Sequence, residues 1–541
     1  MLRKRWIHFY LVLGLIAVYL INGFIAIPSN SVVYDEMDHW SYGKRILKGQ
    51  PQKVYIYDDA TAMPITGVNA VPRAVEQVLN PKLSKTDGGL SDIMHGRYVT
   101  LLICLLIGIY IYKWSNELFG EWGGIFSLFL FVFCPNVNAH VTLLSTDAYT
   151  ALFALTTLYY FRKFINESGV KNFILFSLSF AVAQIVKYSL IHLFVIIGLL
   201  SLIILIYRKS LISNWKKNLV RLLIFLIIQV IVINAAYQFN GTGQRLEDYH
   251  FRSGLFQSIQ SSAVLNTIPL PLPVPYVEGF DVTYHMMELG AGHPLVSGKN
   301  YLLGEARTQR GFWYYYLVVL LFKTPIPYLL VLLLAASLFL KEKKFLITSV
   351  TSIICFAGLY YLLLFSFVNE VQIGIRHILL LFGLAYVLAG RAVHVNWKPS
   401  VKKIAFGFFA LYSIATYYFY FPNLISYTNE LIADKKNAYR IIADTNIDYG
   451  QGAFEALDFL DKHKDVKYAD TIPAAGKFII GIDYYLNLDG SGKFLWLKNF
   501  KPVGHVNHCY LLFDVKKEDL KKIPFFFNHH DSLTPLEKHT R

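Results

Sequence analysis

Charge and cysteine are scarce in this sequence. Only 16% of its 541 residues are Asp, Glu, Lys or Arg, whereas 55% are hydrophobic and the mean hydropathy is +0.42. A set of soluble domains needs more charge than this to cover its surface, so the composition excludes that architecture and leaves a multispanning membrane protein. Of the four cysteines, Cys104, Cys134 and Cys355 lie in or beside apolar runs and only Cys509 falls in a polar region. That distribution excludes a disulfide framework and a cysteine-based metal site. The chain also lacks a convincing internal repeat, which weakens a transporter reading, because many transporter folds carry inverted repeats. Its first residues, MLRKRW followed by an apolar run to Ile27, lack a small-x-small cleavage signal. With roughly 20 apolar residues, this segment reads as a first membrane helix rather than a removable signal peptide.

Aromatic residues are abundant, at 16% with 37 Tyr and 41 Phe, as expected where amphipathic rings collect at membrane interfaces. The net charge of +15 does not imply nucleic acid, because most basic clusters sit in short stretches between apolar runs. Apolar windows of membrane-spanning length fall near 6–27, 98–113, 122–138, 144–162, 172–187, 189–207, 219–236, 326–340, 345–366, 376–394 and 403–421, about eleven in all. With a cytoplasmic N-terminus, the even-numbered connections carry Lys113; Arg162, Lys163 and Lys171; Arg208, Lys209, Lys216 and Lys217; Lys341, Lys343 and Lys344; and Arg391, Lys398, Lys402 and Lys403. Their placement obeys the positive-inside rule. Three long segments, 28–97, 237–312 and the tail from 422, then face away from the cytoplasm, and functional residues are expected there.

The spacing predicts a transmembrane region over 1–421 and a small extracytoplasmic α/β domain over 422–541, with strand-like runs at Lys477–Ile482 and Cys509–Phe513 and a helix at Ala453–His463. The PLPLPVP run from Pro269 is expected to be extended and rigid.

Residues suited to chemistry gather in the outward segments. YDEMDHW, just after the first span, supplies Asp35, Glu36, Asp38 and His39. A carboxylate there could accept a proton or hold a metal that steadies a leaving phosphate, although a solvated acidic loop would look the same. Asp147, in PNVNAHVTLLSTDAYTA, opens the fourth span on the same face. An Asp in a first helical turn is also favoured by the macrodipole. Lys187, Lys323 and Arg376 with His377 map to the outer ends of spans, where a charge is costly unless paired or used. Snorkelling explains a lysine there, whereas a guanidinium suits bidentate capture of phosphate.

The order YDEMDHW, PNVNAHVTLLSTDA, VKYS, LLGEARTQRGFWYYYLVVLLFKTPIPYLL, GIRHILL and YFPNLISYTNEL with DTNIDYGQGAFEAL resembles the GT-C superfamily of glycosyltransferases. Within it, the pattern is similar to bacterial members related to dolichyl-phosphate-mannose protein mannosyltransferases and aminoarabinose transferases of lipid A, over most of the chain to about position 460. The resemblance implies a polytopic α-helical membrane protein that moves a sugar, as a hexosyl or pentosyl transferase, from a polyprenyl-phosphate carrier to a protein, glycan or lipid acceptor. It implies a catalytic carboxylate at Asp35 with Glu36, a second acidic site at Asp147, and carrier-phosphate binding by Lys187, Arg376 and Lys323 beside His377. His39 and His140 stand where related sequences also carry histidine. Asp35, Glu36 and Asp147 could together hold a divalent metal ion, with no other cofactor expected. The expected setting is a bacterial plasma membrane, with the site facing outward among membrane lipids and no nucleic-acid partner. One departure is clear: NIDYGQG echoes only the Asp-Tyr-Gly part of the Trp-Trp-Asp motif region of oligosaccharyltransferases, and no tryptophan stands directly before Asp448, which disfavours en bloc oligosaccharide transfer. The rival readings are a transporter or lipid-sugar flippase and a silent scaffold. A transporter would more naturally carry its charged pairs at the bilayer midplane.

Overall fold

The computed structural model describes residues 2–81, 89–207, 214–296, 298–341 and 350–523. Arg208, Lys209, Lys343, Lys344 and the tail beyond 523 lie outside the described residues.

Each apolar window overlaps a helix. Helix α1 (Leu2–Ser29) is followed by the short α2 (Glu36–Leu47) and α3 (Gly67–Leu79) in the first long segment, then by α4 (Gly89–Val132). Two windows fall on α4, which turns at Gly120, where φ is +73°, a left-handed value that glycine adopts without a Cβ penalty. Next come α5 (Pro135–Val141), α6 (Thr146–Asn166), α7 (Val170–Gln184), α8 (His192–Tyr207) and α9 (Trp215–Ala236). The second long segment holds α10 (Gly254–Gln260), α11 (Val274–Leu289) and an antiparallel pair of short strands, β1 (Asn300–Leu302) and β2 (Glu305–Arg307), and α12 (Tyr315–Lys323), α13 (Ile326–Lys341), α14 (Val350–Phe367), α15 (Leu380–Ala389) and α16 (Pro399–Tyr420) complete the helical region.

Among the described residues, four helices are long and apolar enough to cross a membrane, or six if two bent pairs each count as one span. The expected count of about eleven is therefore not reached by length and composition. The bent pairs, α5 with α6 and α12 with α13, each turn by 112°. The proline of CPNVN starts α5 and Ser145 precedes α6, so the window 122–138 runs past the end of α4 into α5, across a break that hydropathy cannot register. Large apolar side chains on α1, α8 and α9, such as Phe9, Ile25, Leu202 and Ile227, are exposed, as helices in lipid require. The chain is an integral membrane protein.

Polar residues sort to two ends of this bundle. At one end Glu117 of α4 meets Arg162 at 2.6 Å and Lys163 at 3.4 Å on α6. There too, Arg221 donates to the Ser168 carbonyl at 2.8 Å and the His394 ring meets the Phe119 carbonyl at 2.9 Å. These are the basic connections expected in the cytoplasm. The residues expected to carry chemistry lie at the other end.

The tail supplies α17 (Ala453–Lys462) and a four-stranded sheet of β3 (Val466–Tyr468), β4 (Gly476–Gly481), β5 (Gly504–Val506) and β6 (Tyr510–Val515), in the order β3-β4-β6-β5. Here β3 runs parallel to β4, and β6 is antiparallel to both β4 and β5. Phe478 faces Phe513 and Ile480 faces Leu511, and all four are buried in an apolar cluster that continues through Tyr449 to Leu101 of α4. The extended reading of PLPLPVP holds only for its first half. Pro275 lies in the first turn of α11, where a missing N–H costs nothing.

Candidate active site

Asp35 ends the loop after α1 and precedes α2, yet its side chain makes no cap hydrogen bond there. It turns instead to Arg376, whose Nη1 donates to Asp35 Oδ2 at 2.5 Å. The same nitrogen reaches Asp147 Oδ2 at 3.5 Å, and Lys187 Nζ donates to Asp147 Oδ1 at 2.5 Å. Asp147 lies in the first turn of α6 and is only 2% exposed, so it is no solvated helix-dipole partner. Lys187 stands at the break after α7, and Arg376 lies in a 3-10 turn, Ile375–Ile378, before α15. Four separate stretches thus converge on two carboxylates and two cations.

The turn that presents Arg376 is tightly set. Gly374 has a positive φ and lies against Thr445, so a Cβ there would collide with that side chain. Asn446 Oδ1 accepts from the Ile375 amide at 3.0 Å, and Asn446 Nδ2 donates to the Tyr315 hydroxyl at 2.9 Å. His377 Nδ1 is 3.3 Å from the Tyr316 hydroxyl. His39 and His140 are buried nearby, and the Nδ1 of each has no hydrogen-bond partner among the described residues.

Burial pushes the Asp35 carboxyl up. Arg376, then His39, and hydrogen bonds from Tyr449 and Arg376 outweigh it and hold Asp35 at about 2. Asp38, without such partners, is raised to about 6 by burial and by Asp58, Asp35 and Asp59.

Two of the expected site residues are not brought into this cluster. Glu36, fully buried, accepts from Arg97 Nε at 2.7 Å and Nη2 at 2.5 Å, from the Leu144 amide at 2.8 Å and from the Val33 amide at 2.9 Å. With all these acceptor positions taken, it fastens the first loop to α4 and to the loop before α6. The trio Asp35, Glu36 and Asp147 consequently does not assemble as a metal-binding set. Among the described residues, no group of three or more His, Cys, Asp or Glu is arranged to hold a metal ion. Lys323 points elsewhere as well, donating to the carbonyls of Ile425 and Asn446 at 2.6 Å each and so tethering the segment after α16.

Sequence reasoning missed Tyr449 and Arg97. Tyr449 comes from the IDYGQG segment of the tail. Its hydroxyl accepts from Arg376 Nη1, the nitrogen that also donates to Asp35, while its ring lies 4.6 Å from the guanidinium carbon. The available signals were the Asp-Tyr-Gly echo for Tyr449 and, for Arg97, a lone charge heading an apolar run.

Residues 91–233 match the family model described as dolichyl-phosphate-mannose-protein mannosyltransferase. No curated protein matches the chain. Among solved structures, ArnT from Cupriavidus metallidurans bound to undecaprenyl phosphate is similar at 11% identity and a TM-score of 0.48, over 93% of this chain and 97% of that one. The apo form of the same protein gives 11% identity and a TM-score of 0.43, over 95% of this chain and 98% of that one. The matched stretch 91–233 contains His140, Asp147 and Lys187, and through it the chain is similar to the dolichyl-phosphate-mannose-protein mannosyltransferases of the GT-C superfamily.

Proposed function

We propose that this chain is a polyprenyl-phosphate-dependent glycosyltransferase that works at the non-cytoplasmic face of a bacterial plasma membrane. The observation that carries this reading is the convergence of Asp35 and Asp147 with Lys187 and Arg376 at the end of the bundle opposite its basic loops. Lys187 and Arg376 bind the carrier phosphate as charge-assisted donors. In the transfer, the acceptor oxygen or nitrogen bonds to the anomeric carbon as the bond from that carbon to the phosphate oxygen breaks. The carrier phosphate leaves with the electron pair, and Asp35 takes the acceptor proton. Asp147 fixes Lys187 and Arg376, while His39, His140 and His377 line the space where the sugar and acceptor meet.

A flippase reading finds less support, because the buried charges gather at one end of the bundle rather than halfway along it. The test incubates purified protein with a panel of radiolabelled polyprenyl-phosphate sugars and candidate acceptors. Release of polyprenyl phosphate together with a labelled acceptor is the expected result. Movement of intact lipid-linked sugar between leaflets, without cleavage, would replace the enzyme reading with the flippase.

A further inference from the structure

The IDYGQG segment threads back from the tail to the first loop. The Tyr34 amide donates to the Tyr449 carbonyl at 3.3 Å, and the Ser31 amide donates to the Gln451 carbonyl at 3.0 Å. Ser31 Oγ donates to the Gly450 carbonyl at 2.5 Å and accepts from the Ala453 amide at 3.0 Å. The segment is itself fastened to the sheet. Gln451 Nε2 donates to Cys509 Sγ at 3.0 Å, to Asn423 Oδ1 at 3.0 Å and to the Ile447 carbonyl at 2.8 Å. Asp35 and Tyr449 are therefore held in register by backbone pairing, with the tail's sheet behind it.

The Tyr449 side chain lies between the two groups that matter. Its buried hydroxyl accepts from Arg376 Nη1, the same nitrogen that donates to Asp35 at 2.5 Å, and it helps to hold the Asp35 carboxyl down. Without that hydroxyl, the guanidinium nitrogen that orients Asp35 would lose an anchor on this side. A base must be held in a narrow geometry to act, so the second contact bears on rate.

We infer that Tyr449 is a positioning residue for the transfer reaction, and that through it the C-terminal region sets the orientation of the Asp35 carboxylate against Arg376. This rests on the reading of Asp35 as the base. It gives the tail a part in turnover that sugar or acceptor contact alone would not.

Tyr449→Phe keeps the ring under the guanidinium and removes only the hydroxyl. A lost hydrogen bond to a charged group corresponds to a fall in kcat of roughly ten- to a hundredfold, and donor KM should change little. The pH profile separates positioning from mere packing. Asp35 is faced by Arg376, Tyr449, His39, His377, Asp38 and Asp444, and of these only the Tyr449 contact is removed. Removing a donor that holds Asp35 down should move the acid limb of kcat upward. A fluorinated tyrosine at position 449, a stronger donor of native size, should move it downward. Unchanged turnover and acid limb in Tyr449→Phe, with Asp35→Asn inactive in the same assay, would overturn the inference and leave the base assignment standing. Full activity in Asp35→Asn would instead remove the base assignment. Should Tyr449→Phe fail to accumulate, the fluorotyrosine protein decides alone, and an unshifted acid limb there overturns the inference.

Discussion

Asp35 and Glu36 are neighbours in the chain, both carboxylates and both paired with an arginine, yet they sit in opposite kinds of environment. Glu36 and Arg97 are fully buried and saturated: Arg97 spends its remaining N–H groups on the carbonyls of Ile27 at 3.1 Å, Asn30 at 2.8 Å and Ser31 at 2.7 Å. Asp35 is 35% exposed, its partner Arg376 has an Nε with no hydrogen-bond partner among the described residues, and two unpartnered histidine nitrogens lie close by. A saturated pair has nothing left to offer a ligand, whereas an open pair can exchange partners. Saturation, more than charge or burial, separates the knot that holds the first loop from the pair that can do chemistry.

The largest expected effect breaks the closed pair. Arg97→Met leaves Glu36 buried and uncompensated, which costs about 3–5 kcal/mol, and should sharply lower yield and thermal stability in detergent. Arg97→Met combined with Glu36→Leu should recover part of that loss. Arg376→Ala should disturb stability much less, because Asp35 can turn to solvent. Equal destabilisation by Arg97→Met and Arg376→Ala in thermal melts would erase the contrast.

A smaller effect sharpens the open side. Arg376→Lys keeps the charge but loses the planar fork, so affinity for polyprenyl phosphate should fall about tenfold, roughly 1.4 kcal/mol. Isothermal or fluorescence titration checks this, and wild-type affinity in Arg376→Lys would reduce the arginine to a packing role.

The smallest effect concerns carboxylates with no cationic partner. In the tail, burial first, and then mutual repulsion, hold Asp483 well above the usual carboxylate range, beside Asp444 at about 7 and Asp448 at about 6. With folded pKa values above unfolded ones, the folded state keeps protons that the unfolded chain gives up. Stability is then fullest below the ordinary carboxylate range and declines as pH rises through 6 to 7. Asp483→Asn should therefore raise the melting temperature at pH 8 and change it little at pH 4, by differential scanning fluorimetry at both pH values.

Much of this was legible in the sequence, for physical reasons. Span length and apolarity mark the helices in a bilayer, and alternating apolar strands mark β4 and β6. Breaks were less visible: the 112° turns after α5 and α12 fall inside runs whose hydropathy hardly changes. Residue types suited to phosphate and proton chemistry pointed to Asp35, Asp147, Lys187 and Arg376, which do meet. The job of Glu36 was hidden, because its partner lies 61 residues away and no local pattern distinguishes a saturated carboxylate from a free one. Lys323 failed to stand apart for a similar reason, since its partners are backbone carbonyls from beyond the last apolar window. Tyr449 was close to legible, since the Asp-Tyr-Gly echo stands in the sequence, but its contact with Arg376 exists only once the tail folds back.

The most direct measurement is single-turnover transfer with Asp35→Asn and Asp147→Asn, with donor binding and thermal stability followed on the same preparations. Asp35→Asn keeps the size and hydrogen-bonding capacity of the side chain but cannot take a proton. The account predicts a fall in turnover of about 100- to 10,000-fold, with folding retained and donor still bound. Near-wild-type turnover in Asp35→Asn, alongside abolished turnover in Asp147→Asn, would contradict it and move the base to Asp147.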